Sequence, residues 1–334
     1  MRARFGNRYG PRLHFSCPKP RARACPLVAL RIGVHLLAMT PAHILCIGSV
    51  LWDIIGRSAQ PMPLGADRPG RITMLPGGVA LNIAMALARA GHRPALLSVL
   101  GQDPEGDALL AACGRLGLDM RYVTRAADLP TDRYMAIEGP EGLCAAVADA
   151  HSLEQAGARI LAPLFDGRLG GRDAAFQGCV AMDGNLAPDV LASCATAPEL
   201  AGCDLRLAPA SPGKALRLVP FLGHKRAVFY TNLEEAGLIC GQALPDAPTA
   251  AQMLVAKGAA RALVTDGAAI AADACATTCH TGQPPRVAVA RITGAGDTFM
   301  AAHIAAELAG HPRAAALQMA LASAARYVSG KDTA

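Results

Sequence analysis

Short apolar runs alternate along this chain with alanine-rich amphipathic stretches, which predicts an α/β fold with a mainly parallel sheet covered on both faces by helices. Composition agrees: 52% of the 334 residues are hydrophobic and 17% charged, enough for a large buried core and far from a disordered composition. Two β-leaning segments without intervening helices interrupt the rhythm. They predict a small separate sheet, placed as a cover over a site.

The elements follow in order. His43–Val50 reads as the first strand and closes at Gly48-Ser49. Leu81–Ala90 reads as a helix, with Ile83, Ala84, Leu87 and Ala88 on one face and Gly91 as its stop. Pro94–Leu100 is strand-like and Glu105–Leu116 helical. Further strands are expected at Gly178–Met182, Ala227–Tyr230, Ala262–Thr265 and Arg286–Ile292. The interrupting segments are Arg68–Leu75 and Arg133–Ala148, bounded by Gly and Pro. The second reads as a hairpin, Tyr134–Ile137 and Leu143–Val147, turning at Gly139-Pro140-Glu141-Gly142.

The formal net charge of +6 is local. Residues 1–38 hold Arg2, Arg4, Arg8, Arg12, Lys19, Arg21, Arg23 and Arg31 and no acid, which leaves 24 basic against 26 acidic residues from Met39 onward. A body that close to neutral carries no electrostatic footprint for nucleic acid. The basic head, 1–41, is expected to lie outside the fold, as upstream sequence before a start at Met39; a transit-like peptide and a secretory signal are the other readings. The domain itself is expected over 42–330. No run of 18 uncharged apolar residues exists, so no membrane span is expected. Eleven scattered cysteines form no disulfide framework and suit buried thiols in a reducing cytoplasm. Cys275, Cys279 and His280 resemble a metal-site fragment but lack a second ligand pair.

Two glycine-containing segments carry the chemistry. Thr293-Gly294-Ala295-Gly296-Asp297 lies between an expected strand and helix. Its glycines allow a tight turn, and the helix start offers unpaired N–H groups to an anion such as phosphate. A carboxylate there suits a base that takes a proton from a nucleophile attacking that phosphate; the plainer reading is an Asp helix cap. Pro76-Gly77-Gly78 followed by Asn82 gives backbone room for a ligand and an amide to grip it, or is simply a structural turn. Neither a P-loop nor a dinucleotide fingerprint is present.

Together, and in that order, the two segments resemble the two signatures of the PfkB/ribokinase family. Asp53 after the first strand, Gly101-Gln102-Asp103-Pro104-Glu105-Gly106 and Asn232-Leu233-Glu234-Glu235 are similar to three further family landmarks. Within the family, Arg68-Pro69-Gly70-Arg71-Ile72, Met182-Asp183-Gly184-Asn185-Leu186, Pro209-Ala210-Ser211-Pro212-Gly213-Lys214 and Arg291-Ile292-Thr293 look most like pseudouridine kinases.

The resemblance implies a ribokinase-like three-layer α/β/α core with a small β-sheet lid from segments near 53–76 and 131–149. It implies ATP- and Mg²⁺-dependent phosphorylation of a nucleoside 5′-hydroxyl, with pseudouridine expected. Other substrates of the same fold are ribose, 2-keto-3-deoxygluconate or adenosine, and a nucleotide-binding relative without turnover is a third reading. Asp297 would be general base, with the N–H groups of Gly294, Ala295 and Gly296 on the transferring phosphoryl group. Asp53, Gly77, Gly78, Asn82 and Asn185 would bind the acceptor, although an Asn such as Asn185 at a strand end is often only a turn residue. Asn232, Thr265 and Gly267 would serve the nucleotide, and Glu235 would hold Mg²⁺ through water; a plain helix N-terminus is the alternative for Asn232 and Glu235. Thr131 and Tyr134 are lid candidates for contact with the base, or plain strand residues. Such lids often pair between protomers, so a homodimer is expected. Arg291 replaces an Asp near the family's monovalent-cation site, so no K⁺ dependence is expected.

Overall fold

The computed structural model describes residues 44–171 and 174–331. The basic head lies outside the described residues. In chain order the strands are β1 Ile44–Ile47, β2 Leu51–Arg57, β3 Arg71–Gly77, β4 Ala95–Leu97, β5 Val99–Gly101, β6 Thr124–Ala126, β7 Arg133–Gly139, β8 Gly142–Asp149, β9 Cys179–Asp183, β10 Asp204–Ala208, β11 Ala227–Asn232, β12 Arg261–Thr265, β13 Ala271–Cys275 and β14 Cys279–Gly282. The helices are α1 Val79–Arg89, α2 Pro104–Arg115, α3 Ser152–Ala156, α4 Pro188–Thr196, α5 Leu233–Cys240, α6 Ala247–Ala256, α7 Ala295–Leu308 and α8 Arg313–Val328.

Eight strands form the main sheet, in the order β14-β13-β12-β11-β10-β9-β1-β4. From β12 to β4 every neighbouring pair is parallel; β13 and β14 run antiparallel at one edge. The central strands read as continuous apolar runs because both faces are covered. Along β1, Leu45 and Ile47 pack with residues of α4, α5 and α6, while Ile44 and Cys46 pack with α1, α7 and α8. That strand alternation divides the core into two layers around one sheet, the three-layer α/β/α arrangement expected.

The interrupting segments form a separate four-stranded sheet, β3-β2-β7-β8, built from a β2–β3 antiparallel pair, a β2–β7 parallel pair and the β7–β8 hairpin. Trp52 anchors its root, donating from Nε1 to the Glu105 carbonyl of α2 at 3.0 Å. Residues directly paired across strands share a face. Asp53 therefore shares one face with Leu75 and Tyr134, and Ile54 shares the other with Met74, Met135 and Val147. Ile72, Met74, Met135, Ile137 and Val147 on that second face are solvent-exposed.

Two expectations change. Residues 286–292 form no strand; the sheet edge they would have joined is closed by the β13–β14 hairpin. The segment is instead held at its end, where Ala290 and Arg291 N–H groups donate to the Val328 carbonyl of α8. Thr131 is no base contact. It is buried, and its hydroxyl donates to Asp103 Oδ1 at 2.6 Å while accepting from Gly101 N at 3.0 Å. Asp103 also caps α2 through Gly106 N at 2.7 Å, so the whole turn is a structural lock. All nine cysteines among the described residues are free thiols, and six are buried.

Candidate active site

The parallel strands end on one edge, and the expected functional residues collect there. From β1 the chain passes to β4 on one side and later to β9 on the other. At such a reversal a crevice opens beyond the carboxyl ends of the strands, where α/β sheets take their ligands.

Asp183, the last residue of β9, stands at that reversal and is fully buried. Its Oδ2 accepts from Ser49 N at 2.8 Å, Ser49 Oγ at 3.1 Å and Ala80 N at 3.0 Å; its Oδ1 accepts from Asn185 N at 2.8 Å. Burial pushes its pKa up, and the bonds from Ser49 and Asn185 pull the other way. The carboxylate also faces the positive end of α1. Ser49 completes that junction, its Oγ accepting from Val79 N at 2.8 Å and from Asn185 Nδ2 at 3.0 Å. Gly78, at φ 101°, makes the approach feasible: a Cβ there would lie 2.5 Å from the Ser49 carbonyl oxygen.

One turn along α1, Asn82 donates from Nδ2 to Asp297 Oδ2 at 2.9 Å. Asp297 is set deep in the first turn of α7, with part of its surface open to solvent. Burial, with the neighbouring charges of Asp183, Asp53 and Glu235, pushes its pKa up to about 7, against the opposing pull of the Asn82 bond. Asp53 is half-buried in β2 beside the bare Cα of Gly77, and burial pushes it up to about 6. Among the described residues nothing donates a hydrogen bond to its carboxylate.

The turn into α7 is shaped from behind by α8. Gly294 has φ 86°, and a Cβ on it would lie 2.5 Å from the Tyr327 hydroxyl oxygen. That hydroxyl donates to the Thr293 carbonyl at 2.9 Å, and the Arg291 guanidinium stacks 3.8 Å from the Tyr327 ring centre. The Ala295 N–H closes the turn onto the Ile292 carbonyl at 3.1 Å. Of the three expected phosphate donors, Ala295 is thus engaged. The N–H groups of Gly294 and Gly296, and that of Asp297, have no backbone partner among the described residues.

Asn232 and Glu235 form a reciprocal capping box at the start of α5: Glu235 N donates to Asn232 Oδ1 at 2.8 Å and Asn232 N to Glu235 Oε2 at 2.9 Å. The plain helix-start reading is thereby realised. It leaves Asn232 Nδ2 and Glu235 Oε1 uncommitted on that edge. Thr265 pairs directly with Asn232 across β11 and β12, and Gly267 follows with φ 53°. Asn185 spends its amide on Ser49 and accepts from Lys214 Nζ at 2.7 Å. Among the described residues no three His, Cys, Asp or Glu side chains are arranged to hold a metal. One free carboxylate oxygen on Glu235 matches a Mg²⁺ ion that keeps most of its waters and is bound chiefly by phosphates.

Sequence reasoning missed Asp183, Ser49 and Lys214 as individual residues. Asp183 and Lys214 stood inside quoted motifs, and Ser49 marked only a strand end. A Gly-Ser at one strand end and Asp-Gly-Asn at another were the available signs of a junction.

Residues 41–334 match the model of the pfkB family of carbohydrate kinases. The chain belongs to this family. Among curated relatives, the pseudouridine kinase of Escherichia coli (strain K12) is 34% identical over 98 residues, 28% of this chain and 30% of that protein. This chain therefore spans under a third of that relative's length. The guanosine-inosine kinase of Exiguobacterium acetylicum is 28% identical over 278 residues, covering 77% of this chain and 84% of its own. Among solved structures, a carbohydrate kinase from Agrobacterium tumefaciens superposes with a TM-score of 0.73 at 25% identity, covering 88% and 94% of the two chains. An Arabidopsis thaliana ribokinase, solved with ribose and ATP, shares the fold with a TM-score of 0.69 at 21% identity over 87% and 93%. No helix among the described residues is long and apolar enough to cross a membrane.

Two stability effects follow from this geometry. Asp183→Ala strands two buried N–H groups and a part-buried third and is expected to cost about 3 kcal/mol or more in urea unfolding; a loss under 1 kcal/mol would contradict the clamp. Asp297 has the opposite sign. Its folded-state pKa lies above the ordinary carboxylate value, so the folded state holds a proton that the unfolded chain has lost, and stability falls as pH rises from about 4 to about 7. Asp297→Asn should raise Tm by about 2–4 °C at pH 8, by less than half of that at pH 5, and hardly at all near pH 3.5. Equal shifts at all three pH values would point to a cause other than this charge.

Proposed function

We propose that the protein is an ATP-dependent kinase that phosphorylates the 5′-hydroxyl of a nucleoside, pseudouridine before others. The carrying observation is the Asn82–Asp297 bond of 2.9 Å, which joins the acceptor-side glycine segment to the phosphate-side turn. The relative that covers most of this chain acts on nucleosides by its name, and a shorter stretch resembles a pseudouridine kinase. Tyr134 beside Asp53 on the site face of the small sheet supplies an aromatic surface next to a carboxylate, suited to a base above a ribose.

In this reading Asp53 and Asn82 bind ribose hydroxyls, with the sugar lying against Gly77 and Gly78. The small sheet closes as a lid and excludes water that would otherwise accept the phosphate. Asp297 takes the proton of the 5′-hydroxyl while its oxygen bonds to the γ-phosphorus. The bridging P–O bond to the β-phosphate breaks, and its electron pair leaves with ADP. The N–H groups of Gly294, Gly296 and Asp297 face the charge on the transferring group. Asn232, Thr265 and Gly267 flank the nucleotide, and Glu235 holds the metal through water. Bound Mg²⁺ supplies neutralisation of phosphate charge. The exposed apolar face bearing Ile72, Met74, Met135, Ile137 and Val147 pairs with the same face of a second copy.

The test is ADP release with Mg-ATP against pseudouridine, uridine, guanosine, inosine, adenosine, ribose and 2-keto-3-deoxygluconate. Pseudouridine is expected to give the highest kcat/KM; turnover of a free sugar alone would overturn the nucleoside reading, and none with any acceptor the kinase reading. Asp297→Asn should lower kcat by about 10²–10⁴. In the wild type kcat/KM should rise with pH through about 7, as Asp297 must be ionised to accept the proton. A flat profile from pH 5 to 8 would count against that role. Light scattering should give a dimer, and Met74→Glu with Val147→Glu a monomer; a monomeric wild type would remove the pairing.

A further inference from the structure

The site is acidic before any substrate arrives. Asp297 is bonded to Asn82 of α1, Asp183 to Ala80 N of the same helix, and Asp53 lies against Gly77 just before it; Glu235 acts on Asp297 through its charge. A triphosphate adds more negative charge, and backbone N–H groups carry only partial charges. A full side-chain cation at the crevice is what this electrostatic arrangement lacks.

The basic groups packed around the sheet are mostly committed. Arg206 bonds Asp204 and Glu307; Arg261 bonds Asp273 and Glu307; Arg313 bonds Asp273; Arg217 bonds Glu154 and the carbonyls of Gly184 and Leu186. Lys214 differs. Its Nζ lies 2.7 Å from Asn185 Oδ1, and no carboxylate among the described residues lies within ion-pair distance. An ammonium carries three donors, so two remain free.

The backbone places this amine at some cost. The segment Pro209–Lys214 leaves the carboxyl end of β10 through Ala210, whose φ of 74° makes it the one non-glycine residue in the left-handed region among those described. Such strain persists where the surroundings over-determine it and gathers at functional sites. Here Pro209 lies so close against Gly184 that a Cβ on that glycine would collide with the Pro209 carbonyl. The strained turn is therefore locked to the Asp183–Asn185 strand end, and Lys214 is tied to the same Asn185 that bonds Ser49. The chain Lys214–Asn185–Ser49–Asp183 puts an unpaired cation on the network that positions α1 and, through Asn82, Asp297.

We propose that Lys214 is the phosphate-binding cation of this site, its ammonium contacting the γ-phosphoryl oxygens as the group passes from ATP to the acceptor. The inference rests on the kinase reading above. It adds no step: the bond between acceptor oxygen and phosphorus forms, the bridging bond to ADP breaks, and Lys214 follows the charge.

Lys214→Met keeps the apolar stem and removes the charge. Calorimetric titration with AMP-PNP and with ADP, both with Mg²⁺, reads the γ-phosphate contact without requiring turnover. The expected result is at least about fivefold weaker AMP-PNP binding with ADP binding within twofold, and recovery of most of the difference in Lys214→Arg. A residue that merely supports the fold would weaken both nucleotides together and lower Tm. In steady state, kcat should fall by about 10²–10³ with the acceptor KM within about threefold. Unchanged AMP-PNP affinity in a folded Lys214→Met overturns the inference. Failure of the wild type to bind either nucleotide overturns the kinase reading and this inference with it, whereas a wild type that binds but turns over none of the tested acceptors leaves the AMP-PNP comparison to decide for Lys214 alone.

Discussion

A carboxylate with no solvent contact holds this architecture together. Asp183 gathers N–H groups from β1's exit, from the first turn of α1 and from its own loop, and a hydroxyl besides. Burying an ion is costly unless its lone pairs are filled, and four donors with a helix end fill them. Three elements far apart in sequence thus share one acceptor, at the point where the strand order reverses. Ser49, Asn82, Asn185 and Lys214 all take their places from that junction.

The same economy makes the site electrostatically tense. Burial first, and then the charges of Asp183, Asp53 and Glu235, push the pKa of Asp297 up to about 7. The tension is confined to the carboxyl edge. Behind α7 a second, fully paired network relieves nothing there but fixes the helix: Arg206 and Arg261 share Glu307, Arg261 reaches Asp273, and His303 lies between Tyr230 and Arg261. Burial pushes His303 down to about 4, so it is neutral and acts as a hydrogen-bonding spacer. The proposed phosphate recognition, through N–H groups and one lysine, is consistent with a body carrying slightly more acid than base.

Much of this was legible in advance, for identifiable reasons. β1, α1, α2 and the β7–β8 hairpin announce themselves by period and turn chemistry, Asp297 and Asn82 stand in motifs whose glycines mark close backbone approach, and Asp53 follows the first strand. β13 and β14 escaped because AADAC and CHTG carry no β-branched apolar alternation; their pairing and the Asp273 ion pairs decide them. Residues 286–292 misled in the opposite way, since Val287, Val289 and Ile292 look strand-like yet remain exposed beside an occupied edge. Asp183 escaped because its importance lies in partners 103 and 134 residues away, which no local pattern encodes.

The turn before α7 takes its form from Tyr327, near the end of α8. Its glycine lies against a phenol that the ribosome makes more than thirty residues later. A nascent chain could build the sheet and the Asp183 junction first, yet the turn before α7 would have no template until α8 emerged and docked. Competence for chemistry would then arrive last in synthesis, after the scaffold had closed.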